Sequence, residues 1–303
     1  VVLGPVSSGG LSSSDAVVSG DSSGDDFGHS AAWVNNDGNG YLDALIGAPS
    51  VGETLSPDRG TVYLFAGPVT GSLGVADASA VLEGGAGETL GLALTGADTD
   101  GDGQDEAFVG ATVDPLFGTD GVFVFSALSG TLSSSDADAT LSSAGDAVTA
   151  LHAGDVDGDG AVDLVVGVAG ASSDRGQVTV WLGPVSTDKS FSSADATLTG
   201  GSGDGAGASV HGVPDLDGDG ADELWVGGAS GASAWLWYGG SGVSGALTLS
   251  DAALILEGSG DALGAAGAAG DLDGDGFFDL ISGAPSTSSD AGAAVLLSGA
   301  RLP

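Results

Sequence analysis

The chain contains no cysteine, no methionine and only four basic side chains, Arg59, Arg175, Lys189 and Arg301, among 303 residues. Without cysteine no disulfide can staple the fold, and the redox compartment is left open. The four cations face 42 acids, for a formal net charge of −38, which excludes DNA and RNA as partners because phosphate binding relies on Lys and Arg. The same charge disfavours anionic membrane surfaces. No apolar run has membrane-spanning length, so no membrane insertion is expected. The absence of a heptad or a sustained 3.6-residue apolar stripe argues against a helical architecture. The 58 glycines fall without a three-residue period, which excludes collagen. A mean hydropathy of +0.27 and 42% apolar residues argue against disorder and for a real core. The sequence starts at Val1 without a signal peptide, so a secreted, processed chain is expected.

What is present is an acidic nonapeptide in five copies, starting at residues 35, 98, 155, 215 and 271. A period near sixty residues means tandem structural units. Calcium takes six to eight oxygens, so a short loop must fold around it and aim alternate groups inward. The copies supply side-chain oxygens at positions one, three and five, a backbone carbonyl at seven and a closing side chain at nine. The expected ligands are Asn35, Asp37, Asn39, Tyr41 (carbonyl) and Asp43 in the first copy. In the second they are Asp98, Asp100, Asp102, Gln104 (carbonyl) and Glu106. The third offers Asp155, Asp157, Asp159, Ala161 (carbonyl) and Asp163. The fourth offers Asp215, Asp217, Asp219, Ala221 (carbonyl) and Glu223. The fifth offers Asp271, Asp273, Asp275, Phe277 (carbonyl) and Asp279. Glycines at positions four and six, such as Gly158 and Gly160, allow the tight turn. Magnesium fits less well, because it demands strict octahedral geometry and keeps its waters.

An EF-hand loop also begins DxDGDG, but it needs an acid at position twelve and flanking helices. Here Ile46, Val109, Val166 and Val226 stand at position twelve, at the head of strand-like runs. Each copy is followed by a polar turn and an alternating aromatic and β-branched run, seen as TVYLFAG from Thr61 or QVTVWLG from Gln177. A fourth short segment, such as SAVLEG or DATLTG, completes all repeats but the last. Four strands per repeated unit match the arithmetic of a propeller.

The chain resembles the FG-GAP repeat family, the blade unit of integrin alpha-subunit propellers and of many bacterial surface proteins. The name motif stands intact in the first repeat as Phe27-Gly28 and Gly47-Ala48-Pro49, and half-intact in the fifth as Gly283-Ala284-Pro285. Elsewhere it decays, with Leu90-Gly91 and Gly110-Ala111-Thr112 in the second repeat. The resemblance implies an all-β propeller of four-stranded blades, with the acidic loop joining the first and second strands of each. It places blades at 21–84, 85–143, 144–200, 201–258 and 259–303, with residues 1–20 as closing strands. The N-terminal DAVVSG segment is expected to supply the outer strand missing from the last blade and so close a five-bladed wheel. Two alternatives remain open: a piece of a seven-bladed ring, or a strand-exchanged array built by a neighbour's strand.

Of the 42 acids, 20 lie inside the nonapeptides, and up to five structural Ca²⁺ ions would offset about ten charges. Weak sites of this kind suit extracellular calcium, so an extracellular or cell-surface location is expected. Catalytic constellations are thin. GDSSG around Ser22 fits the GxSxG pattern but sits in a Ser/Gly-rich connection. DKSFS at Asp188 mimics a metal site of a different fold. His29, His152 and His211 are read as satisfied structural histidines at first strands. Arg59 and Arg175 share one repeat position within Asp-Arg-Gly turns, and each is a candidate anchor for a ligand or subunit carboxylate. The sequence reading is a non-enzymatic, calcium-stabilised module for adhesion or structural assembly. The alternatives are a lectin-like or protein-ligand module acting through loops such as GAPSVGETLSPDRG from Gly47, and an accessory domain of a hydrolase. The partners are accordingly a protein or glycan ligand, or further copies of the chain.

Overall fold

The computed structural model describes residues 16–52, 59–112, 120–143, 145, 147–229, 233–258, 263–264, 266–272, 274, 278–285 and 292–298. Asp273, Asp275 and Phe277 lie outside these residues, as do residues 53–58 of the GAPSVGETLSPDRG loop. The chain divides into two compact units, Val1–Thr140 and Leu141–Pro303. No described helix is long and apolar enough to cross a membrane.

The first unit begins with β1 (Ala16–Ser19), β2 (Ser30–Val34), β3 (Asp43–Ala48), β4 (Thr61–Phe65), β5 (Gly71–Gly74) and β6 (Ala80–Glu83). It continues through β7 (Ala93–Ala97), β8 (Glu106–Ala111), β9 (Gly121–Phe125), β10 (Gly130–Ser133) and β11 (Ala139–Ser142). Strands β2, β3, β4 and β6 form an antiparallel sheet in that spatial order. Their register is set by pairs such as Val34 opposite Asp43, Ala48 opposite Thr61 and Tyr63 opposite Val81. Strands β7, β8, β9 and β11 repeat the order.

The second unit holds β12 (Ala150–Gly154), β13 (Asp163–Val168), β14 (Gln177–Trp181), β15 (Lys189–Ser190) and β16 (Ala196–Thr199). Next come β17 (Ala206–Val213), β18 (Glu223–Gly228), β19 (Ser233–Trp237), β20 (Gly245–Thr248) and β21 (Leu254–Glu257). Last are β22 (Gly267–Gly270), β23 (Asp279–Ala284) and β24 (Ala293–Leu297). Their sheets are ordered β12-β13-β14-β16, β17-β18-β19-β21 and β22-β23-β24. Each acidic nonapeptide bridges the first and second strands of its sheet.

Four strands per repeat understates the architecture. A further short strand lies between the third and fourth, and it pairs in parallel with the outer strand of the preceding repeat. Thus β10 runs along β6, with Gly130 opposite Ala80, and β20 runs along β16, with Gly245 opposite Ala196. β5 runs along β1 in the same way. A turn of 3₁₀ helix follows, fixed in one case by Asp136, whose Oδ2 accepts from Ser133 N and Oγ, each at 2.8 Å. These segments are four residues long and rich in Gly, Ser and Thr, so they lack the apolar alternation by which strands are read. Physically they cover what would be open sheet edges.

The alternating apolar residues face neighbouring sheets. In the first unit Val34, Leu45, Val62, Leu64 and Leu82 pack with Leu90, Leu94, Val109 and Phe123 of the following repeat. In the second, Val165, Val178 and Leu198 pack with Val210, Leu224, Val226 and Trp235. Leu236 and Trp225 similarly meet Leu263 and Leu280. Burying one such side chain contributes roughly 1.5–3 kcal/mol, so the core is shared between repeats.

The name-motif glycines explain how the sheets come so close. A Cβ added to Gly47 would collide with the carbonyl oxygen of Gly91, one at Gly167 with that of Gly207, and one at Gly227 with that of Gly264. The opposing glycines have φ of +93°, +91° and +89°, a region other residues adopt only with strain. A hydroxyl seals each contact: Ser30 Oγ donates to Gly91 O at 2.6 Å, Thr149 Oγ1 to Gly207 O at 2.7 Å, and Ser209 Oγ to Gly264 O.

The histidines divide. His211 is satisfied, its Nε2 accepting from Gly267 N at 3.1 Å. His152 departs from the expectation, because its buried Nε2 has no hydrogen-bond partner. Burial, then the neighbouring His211, pushes its pKa down to about 4, so it is held neutral. Gly207→Ala is expected to destabilise the protein by more than about 2 kcal/mol, whereas Gly170→Ala, where an added Cβ meets nothing within 4 Å, should stay within about 0.5 kcal/mol. Denaturant unfolding of the two variants checks this; equal losses would contradict it.

Candidate metal centres

Each nonapeptide leaves its first strand, turns through glycines such as Gly158 and Gly160 (φ +79° and +88°), and re-enters the sheet at position nine. The turn is built by its own acids. In the third loop the Asp155 carboxylate accepts from Gly158 N and Gly160 N at 2.8 and 2.9 Å, and Asp159 Oδ1 accepts from Ala161 N at 2.8 Å. Asp98 and Asp215 do the same in the second and fourth loops. In the fifth, Asp271 Oδ1 accepts from Gly274 N at 2.7 Å.

Position nine is the first residue of the second strand and points into the sheet. Asp43, Glu106, Asp163, Glu223 and Asp279 are all at most 4% exposed. Asp163 accepts from Val156 N and from Gly183 N, both at 2.9 Å, so it ties the loop to the end of the third strand. Asp43 does so through Asn36 N and Gly67 N. Glu106 Oε2 takes both Thr99 N and Thr99 Oγ1, at 2.8 and 2.6 Å. The Thr99 hydroxyl was not among the sequence candidates, since position two carries no common residue type.

Among the described residues, three acid triads gather ligand oxygens within 4.8 Å: Asp98/Asp100/Glu106, Asp155/Asp157/Asp163 and Asp215/Asp217/Glu223. These are positions one, three and nine of their loops; the position-five acids Asp102, Asp159 and Asp219 stand outside the triads. The first loop differs. Asn39 Nδ2 donates to Asp37 Oδ2 at 2.7 Å, and Asn35 Nδ2 reaches Gly103 O at 3.0 Å, which leaves Asn35 Oδ1 buried without a partner.

The electrostatics bear on what the triads could hold. Burial, reinforced by the acids at positions one and three, pushes Asp163 up to about 6 and Glu223 up to about 7. Glu106 and Asp157 are raised for the same first reason. A hard, oxygen-only donor set of this kind fits a divalent cation, whose charge would hold all three carboxyls ionised. Without a cation, a carboxyl raised in the folded state contributes stability below about pH 4 that is lost as pH rises through about 6 to 7.

Arg59 and Arg175 are exposed, and their backbone carbonyls take part in local hydrogen bonds. Arg59 O accepts from Leu90 N, and Arg175 O accepts from Ala206 N at 3.0 Å. Ser22 lies in an exposed turn between β1 and β2 with no strand-to-helix elbow.

Cation uptake at these loops is expected to release protons near pH 6.5 and almost none at pH 8.5. Apparent calcium affinity at the Glu223 loop should fall about tenfold between pH 8 and pH 6. Calorimetry in buffers of different ionisation enthalpy measures both, and affinity flat across that range would contradict the electrostatic account.

The family comparison agrees with the repeat pattern. Residues 147–181 match the FG-GAP repeat, and residues 215–282 match the FG-GAP-like repeat. No curated protein sequence matches the chain. Among solved structures, the exotype rhamnogalacturonan lyase YesX is similar at 17% identity and a TM-score of 0.48, over 89% of this chain and 47% of that one. The V. cholerae biofilm matrix protein Bap1 is similar at 14% identity and a TM-score of 0.48, over 89% of this chain and 37% of that one. The chain therefore spans less than half the length of either. The family matches fall on three of the acidic loops, within sheets that recur in the same strand order, so the chain carries FG-GAP repeats at residues 147–181 and 215–282.

Proposed function

We propose that the chain is a calcium-stabilised, non-enzymatic propeller module of the extracellular space or cell surface, used for adhesion or structural assembly. The observation that carries this reading is the recurrence of one acid triad at the same sheet corner, closed each time by a buried carboxylate. Flexible all-oxygen loops favour calcium over magnesium, and extracellular calcium is high enough to fill weak sites. Acids held in such triads are poorly placed to act as general acids or bases.

Ring closure belongs to the same reading. β1 pairs with β5 as β6 pairs with β10, so β1 has the position of an outer strand. Among the described residues the sheet β22-β23-β24 has three strands, and none lies on the outer side of its third. We infer that β1 supplies that strand, with Val17 opposite Val295 in the register of Val81 opposite Tyr63.

At ten- to hundredfold excess of calcium over the dissociation constant, each site adds roughly 1.4–2.7 kcal/mol. Excess EDTA is therefore expected to lower Tm by many degrees and to abolish calcium-dependent clustering of beads coated with the protein. An unchanged melt would refute the structural role of calcium; beads that stay dispersed in both conditions would refute homotypic adhesion. In the cysteine-free chain, Val17→Cys with Val295→Cys is expected to form an intramolecular disulfide. An intermolecular one would instead establish strand exchange, and no cross-link would rule out both.

A further inference from the structure

The position-eight residue of the nonapeptide is absent from the ligand pattern, yet in two loops it is an acid: Asp105 and Asp222, each immediately before a closing glutamate. In both cases it reaches back to position one of the preceding loop. Asp105 Oδ2 accepts from Asn35 N at 2.7 Å, and Asp105 N donates to Asn35 O at 3.0 Å. Asp222 N donates to Asp155 O at 2.7 Å, and Gly240 N adds a second tie to Val156 O at 2.9 Å.

The Asp222 carboxyl stands between two loops. Burial raises its pKa first, then the Asp155 carboxylate; backbone hydrogen bonds from Asp155 and Asp215 act in the opposite direction. A Cβ at Gly154 would lie 2.9 Å from Asp222 Oδ2, so the carboxyl is packed against the strand that feeds the third loop. One residue later, Glu223 closes the fourth loop.

We propose that Asp222, like Asp105 at the same place, is a positioning residue that couples cation binding in consecutive loops. Ordering Asp155 in the third loop fixes Asp222, and through it the approach of Glu223 to the fourth; by linkage the effect runs equally in reverse. The proposal rests on the cation-binding reading of the loops.

Amide resonances give a separate readout for each loop: Gly158 and Gly160 for the third, Gly218 and Gly220 for the fourth. Calcium is titrated into the full chain and into Asp217→Asn, which removes a fourth-loop ligand, each with and without Asp222→Ala. With Asp222 present, Asp217→Asn is expected to raise the calcium midpoint at Gly158 and Gly160 at least about fivefold. With Asp222→Ala the same change should move it less than about twofold. Asp222→Asn, which preserves side-chain shape, serves as the second variant and should also fall below about twofold. A full shift retained in either folded variant, or no shift with Asp222 present, overturns the coupling while leaving the cation sites standing. If Gly158 and Gly160 do not respond to calcium in the unaltered chain, the cation reading itself fails, and the coupling with it.

Discussion

A buried carboxylate at the first residue of each second strand is the constraint on which the rest of this molecule depends. It costs several kcal/mol to keep an ion there without compensation. The chain offers backbone donors from position two and, for Asp43 and Asp163, from the end of the third strand. Those bonds hold three strands of a sheet at one corner. They do not neutralise the charge, and two further acids stand within 4.8 Å in three of the loops. The corner is thus a folding element, and in three loops its acids are grouped so that they could hold a cation.

The opposite requirement operates where sheets meet. There, side chains are removed rather than charged: Gly167 against Gly207 and Gly227 against Gly264 bring backbone onto backbone, with a hydroxyl from the first strand covering the carbonyl. This geometry explains why Gly47, Gly91, Gly167, Gly207, Gly227 and Gly264 keep the motif's glycine while its Phe, Ala and Pro vary. Thr149 takes the place of that glycine in the third repeat, and its hydroxyl donates to Gly207 O.

Much of this was legible in the sequence. The five acidic loops could be read because their acids and glycines sit at fixed intervals, and the strands after them because Val, Leu and Trp alternate with smaller or polar residues. Position nine was visible as a candidate ligand, but its role in tying the loop to Gly183 was not, since that partner is a backbone N–H twenty residues away. The strands β5, β10, β15 and β20 were illegible for another reason. They are two to four residues long and, apart from one leucine in each of β5, β10 and β20, are mostly small or polar residues that look like connections. His152 escaped as well: nothing in LHAG distinguishes a histidine whose Nε2 finds no partner from one that does.

The parallel strands also impose a schedule. β6 is covered by β10, and Ala80 pairs with Gly130, fifty residues further along the chain. At a synthesis rate of about 5–20 residues per second, the outer edge of one repeat stands open for roughly 3–10 s until its successor emerges. The outer strands β6, β11 and β16 are each covered by a strand made later, so that part of assembly is vectorial. The polar Thr197 and Thr199 on β16 lie on an edge that must remain unpaired, and unaggregated, through that interval.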